Sequence, residues 1–189
     1  MSKEVNIFFM NDEITNELLR NIKKAKPYNR FDNFRKWIPS ILILPIAVYW
    51  TLNRGEYGLL DNANLVIHEA GHLFFKFFGK FIYTLGGTLM QIILPSLIVC
   101  TFFMNHYRTG VQFSLLWLGQ NFINISVYAA DAQARKLPLL GSNKVYHDWH
   151  YMLTELGILE YDYLVGYFFY SIAIVIFLIV ILLPLIMRD

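Results

Sequence analysis

Two histidines and a glutamate stand in an otherwise apolar run, Asn64-Leu65-Val66-Ile67-His68-Glu69-Ala70-Gly71-His72-Leu73-Phe74-Phe75. At about 3.6 residues per turn, His68 and His72 leave the same face of a helix one turn apart, with Glu69 beside them. This is the H-E-x-x-H arrangement. Two neutral imidazoles grip one Zn²⁺ at about 2.0–2.1 Å and leave room for a third protein ligand and a water. Glu69 is too close in sequence to ligate comfortably; it reaches the water instead and takes its proton as general base. Asp61, Asn64, His68, His72 and Lys76 follow at i, i+3, i+7, i+11 and i+15, a stripe that a lipid-facing helix does not carry. Ionisable groups this closely spaced in an apolar segment are costly unless a partner such as a metal compensates them.

The elements that must position these groups belong to a membrane protein. The chain of 189 residues is 56% hydrophobic and only 16% charged, well below the roughly 25% charged residues of soluble domains. The length suits one compact bundle. Of sixteen Lys and Arg, eight (Lys3, Arg20, Lys23, Lys24, Lys26, Arg30, Arg35 and Lys36) precede the first apolar run. That asymmetry places the amino terminus in the cytoplasm. Nothing in the pattern points to nucleic acid. The lone Cys100 allows no intrachain disulfide, and no secretory signal peptide is expected, because the first useful apolar run begins only near Trp37.

Residues 1–36 form a polar segment in which Ile14, Leu18, Leu19 and Ile22 recur at helical spacing behind Asn11 and Asp12, which predicts an amphipathic, basic surface segment. Residues 37–189 form the membrane domain. The expectation is all-α: a polytopic bundle of about five transmembrane helices over 37–52, 59–78, 81–104, 111–130 and 163–187, with the carboxyl terminus outside. Gly86-Gly87 and Pro95 interrupt the third run, consistent either with irregular backbone beside the site or with a tight turn and a glycine-softened helix. In the fourth, Asn121, Asn124, Tyr128, Asp131 and Arg135 recur at i, i+3, i+7, i+10 and i+14 and make one polar face. With the second and fourth helices both running inward, Asp131 reaches the depth of His72. The third metal ligand is therefore expected to be Asp131. His147, Asp148 and His150 are alternatives on the same side, though Asp148 also has the position of a helix N-cap, and the group could serve as outer support or gate water.

A helix with His68-Glu69-Ala70-Gly71-His72, followed two helices later by Asn121 and Asn124 on the approach to Asp131, resembles the site-2 protease family of intramembrane zinc metalloproteases. The resemblance covers residues 59–135. It implies a zinc metalloendopeptidase that cleaves membrane proteins or membrane peptides, with one zinc on His68, His72 and Asp131. Zinc would polarise the scissile carbonyl while Glu69 takes a proton from the water and returns it to the leaving amine. Asn121, Asn124 or Gln91 would donate to the developing oxyanion, or act simply as interhelical glue. The main rival is a zinc-binding membrane scaffold that holds a partner helix without cutting it. A base beside an open metal position has no use there. A dinuclear oxidase would need more than the five histidines of this chain.

Overall fold

The computed structural model describes residues 14–17, 34–137 and 147–187. The chain divides into two units, Met1–Lys36 and Trp37–Asp189. In the first, residues 14–17 and 34–35 are helical; apart from residue 36, the remainder of the expected amphipathic segment lies outside the described residues. In the second, every regular element among the described residues is helical: α1 (Ile38–Leu52), α2 (Leu59–Phe74), α3 (Lys80–Met104), α4 (Arg108–Ala130), α5 (Asp148–Glu155) and α6 (Asp162–Ile186), with single 3-10 turns at Lys76–Phe78 and Leu159–Tyr161.

Helix α4 is the axis of this unit, packed against α6, α3 and α1, while α2 lies on α3. Ile43 and Ala47 of α1, Leu118 and Phe122 of α4, and Ala173, Phe177 and Val180 of α6 form the main apolar core. Beside it, buried polar groups bond across helices. Gln112 of α4 donates to Ser40 Oγ at 2.8 Å and to the Val180 carbonyl at 2.9 Å, tying α1, α4 and α6 together.

Among the described residues, two helices, Lys80–Met104 and Leu159–Ile186, are long and apolar enough to cross a membrane. Helix α1 is apolar but has only 15 residues, and α2, with its polar stripe, has 16. The Gly86-Gly87 pair lies within regular helix, and Pro95 is likewise inside α3. The break comes earlier, at Gly79, whose φ of 85° is the left-handed conformation that glycine adopts without steric cost. At the seam between α2 and α3, a Cβ on Gly71 would lie 2.2 Å from the Gly86 carbonyl oxygen. Only a glycine at this crossing lets the two backbones meet so closely.

Candidate metal centre

The polar stripe of α2 turns toward the bundle: Asp61, Asn64, His68 and His72 are all buried, with Asn64 fully so. Its upper part is sealed by α4. Asn64 Nδ2 donates to Gln120 Oε1, Asn64 Oδ1 accepts from Trp117 Nε1 at 2.8 Å, and Gln120 Nε2 donates to Asp61 Oδ1 at 2.6 Å. These bonds set the rotation of α2 and hence the direction in which both histidines point.

Helix α3 fixes the rings. His72 Nδ1 lies 2.8 Å from the Tyr83 carbonyl oxygen. A carbonyl only accepts, so Nδ1 carries a proton, and in the neutral ring Nε2 keeps its lone pair. For His68 the same result follows through a chain of amides. Asn121 Nδ2 donates to the Trp117 carbonyl at 3.1 Å, which turns Asn121 Oδ1 toward Gln91 Nε2 at 3.3 Å. Gln91 then presents Oε1 to His68 Nδ1 at 2.9 Å. His68 therefore also carries a proton on Nδ1, and its neutral form presents Nε2 as the acceptor. Its ring sits on Gly87, where a Cβ would come within 2.4 Å of Nε2.

Both Nε2 atoms face one carboxylate oxygen. Asp148 Oδ2 is 2.9 Å from His68 Nε2 and 3.2 Å from His72 Nε2. Ligands about 2.0–2.1 Å from a tetrahedral ion stand about 3.3 Å apart, so these separations are on the scale of a shared cation. His68, His72 and Asp148 together could hold a metal ion, each offering one ligand atom with all three within 4.8 Å of one another. The hydrogen-bonded Nδ1 on each imidazole is the outer support that orients metal-ligating histidines. Glu69 is exposed; its carboxylate lies within electrostatic reach of His72 and Tyr128.

The structure brings Asp148, and not Asp131, to the two imidazoles. Helix α4 ends at Ala130, and Asp131 caps it. Its carboxylate turns into the following loop and accepts the N–H groups of Lys136 and Leu137, both at 2.9 Å. Asp148 in turn is not an N-cap: His147 holds that position, its side chain accepting the His150 N–H, which leaves the Asp148 carboxylate free to face α2. Burial pushes the Asp148 carboxyl up, but the bonded His68 and His72 rings outweigh burial and hold it below its ordinary range. Burial pushes the neighbouring His147 down, offset only in part by Asp131, so its ring is neutral near pH 7.

Of the other expected residues, Gln91 and Asn121 support His68, whereas Asn124 accepts from Gln120 at 3.2 Å, one step along the network. His147 lies 3.4 Å from Asp131 rather than among the convergent ligand atoms, and His150 Nδ1 meets the Ala132 carbonyl at 2.9 Å. Two participants had not been singled out. The Tyr83 carbonyl has no signature in a sequence. Tyr128 does lie on the α4 polar stripe; its hydroxyl oxygen accepts the Asp148 N–H at 3.1 Å, and its ring is 5.9 Å from that of His68.

No protein-family model matches the chain, and comparison with curated proteins and with solved structures likewise finds no match.

Proposed function

We propose that this chain is a membrane-embedded zinc metalloprotease of the site-2 protease type, with His68, His72 and Asp148 as ligands and Glu69 as general base. The observation that carries the reading is the convergence of the His68 and His72 Nε2 atoms on one Asp148 carboxylate oxygen, 2.9 and 3.2 Å away, with each ring's Nδ1 held by an acceptor. With both rings neutral, these three atoms are all acceptors, and a cation among them relieves their mutual repulsion. Zinc suits this two-imidazole, one-carboxylate donor set, and when bound it supplies a Lewis acid that lowers the pKa of its water toward about 7. Glu69, adjacent to His68 and open to the surroundings, would receive a proton from that water and return it to the leaving amine.

The same reading makes α1, α2, α3, α4 and α6 five membrane spans, with the amino terminus cytoplasmic and the carboxyl terminus outside. Large apolar side chains exposed on α1 (Ile41, Leu42, Leu44), α2 (Val66, Leu73) and α6 (Phe168, Leu178, Leu182) support it, since so much apolar surface is favourable against lipid and costly against water. The substrate is then a membrane protein or membrane peptide. A substrate helix hides its carbonyls in its own hydrogen-bond ladder and must unwind to be cut, which favours segments weakened by Gly, Pro or Asn.

Metal analysis of the purified full chain, together with cleavage of a model transmembrane substrate, tests this. Wild type should bind one zinc per chain and cleave; Glu69→Gln should bind the same amount and not cleave. A Glu69→Gln protein as active as wild type would rule out the mechanism. A wild type with bound metal and no peptidase activity on any unwound membrane substrate would favour the scaffold instead.

A further inference from the structure

We propose that Asp131 and His147 are a positioning pair that sets the metal affinity of the site by bracing the first turn of α5, and with it Asp148. The inference rests on the metal reading above. Helix α5 has only 8 residues, too few to hold together in isolation. Its place is therefore set by what grips it. Trp149, Met152 and Leu153 bury its apolar face, but the orientation of the first turn comes from polar ties to the end of α4.

Those ties form a connected set. The Asp131 carboxylate is locked in its loop by the Lys136 and Leu137 N–H groups, and its Oδ2 faces His147 Nε2 at 3.4 Å. His147 Nδ1 accepts the His150 N–H at 3.2 Å, which requires that nitrogen to be unprotonated. The ring proton then sits on Nε2, the nitrogen at ion-pair distance from Asp131, outside hydrogen-bond alignment with it. One residue later, the Asp148 N–H donates to Tyr128 Oη at 3.1 Å, and the Tyr128 ring packs 4.5 Å from that of His147. His150 Nδ1 donates to the Ala132 carbonyl at 2.9 Å. Tyr128, Asp131 and Ala132, at the end of α4 and just beyond it, thus supply the contacts in this set that reach residues 147–150 from outside. Asp131, the carboxylate that the sequence puts forward as a ligand, acts one step removed: it orients His147, and His147 caps the helix that presents the ligand oxygen. Groups that orient metal ligands in this way are typically worth about 10–100-fold in affinity.

The test measures Zn²⁺ affinity of the full chain in detergent by chelator competition, and the visible absorption bands of the Co²⁺-loaded protein, which report the ligand set. Asp131→Asn and His147→Asn are the main variants, because Asn at 147 keeps an N-cap acceptor while removing the ring that meets Asp131. Each should bind Zn²⁺ about 10–100-fold more weakly with the Co²⁺ bands of wild type, and the double variant should be no more than about threefold weaker than the worse single one, as expected for residues acting through one contact. Wild-type affinity in both single variants would overturn the proposal. So would an Asp131→Ala protein that loses the metal and the Co²⁺ bands as completely as Asp148→Ala, since that would make Asp131 itself a ligand. If either Asn variant fails to fold, Tyr128→Phe, which removes only the oxygen that accepts the Asp148 N–H, should still weaken Zn²⁺ by about tenfold, and unchanged affinity there refutes the brace. A wild type that binds neither Zn²⁺ nor Co²⁺ rejects the metal reading itself, a result distinct from metal binding that ignores the brace.

Discussion

Replacing Gly87 by alanine adds one methyl group at the tightest contact of the metal centre. The new Cβ would lie 2.4 Å from His68 Nε2 and 2.5 Å from both Cδ2 and Cε1, whereas non-bonded heavy atoms of this kind settle near about 3.5 Å. The shortfall is about 1 Å. The ring has little freedom to swing aside, because its Nδ1 is held by Gln91 one turn further along the same helix, at 2.9 Å. Helix α2 could retreat from α3 instead, at the cost of opening the backbone contact between Gly71 and Gly86. Either response moves Nε2 by several times the roughly 0.2 Å tolerance of metal–ligand distances. Gly87→Ala should therefore weaken Zn²⁺ binding by at least about 100-fold, together with an overpacking cost of about 1–3 kcal/mol. Chelator competition on detergent-purified protein reads the first effect, and thermal unfolding of the metal-free forms reads the second. Gly119→Ala is the control: its Cβ would meet Phe177 Cε1 at 2.4 Å in the seam between α4 and α6, so it should lose comparable stability and keep the metal. A folded Gly87→Ala protein that binds Zn²⁺ within about threefold of wild type would show that His68 is not seated on Gly87, and the derived ring geometry would be withdrawn.

Asp148→Ala should abolish Zn²⁺ binding as fully as His72→Ala, read by metal content after purification; retention of a full equivalent of metal would remove Asp148 from the ligand set. Asn64→Ala breaks the bonds to Gln120 and Trp117 and should cost about 2 kcal/mol, given that interhelical bonds in membranes are each worth about 0.6–2 kcal/mol. No change in unfolding midpoint would mean that this network does not hold α2 against α4. Reporter fusions at the two termini should report opposite sides of the membrane, and a shared side would exclude an odd number of spans.

The helical class, the buried face of α2 and the pairing of His68 with His72 follow from spacing alone, because they depend on a period that the chain carries locally. Gln91 was visible as the lone amide of its apolar run and Asn121 as part of the α4 polar face, and an amide in such a run must find a partner inside the protein. The choice of carboxylate was not visible. Asp131 and Asp148 both end or begin a helix on the same side, and their local signals point the opposite way from the outcome: Asp131 closes a polar stripe, and Asp148 precedes an apolar run as an N-cap would. The decision lies in contacts between residues far apart in sequence. Asp148 meets His68 across a separation of 80 residues, and it can do so because His147 takes the capping role and α4 stops at Ala130. The protonated nitrogen on each imidazole is likewise a tertiary matter, set by the Tyr83 carbonyl and by a chain of amides anchored on the Trp117 carbonyl. The sequence by itself determined that two histidines share one helix face with a glutamate beside them; the packing of α3, α4 and α5 around that face decided which oxygen meets the two rings and what holds each Nδ1.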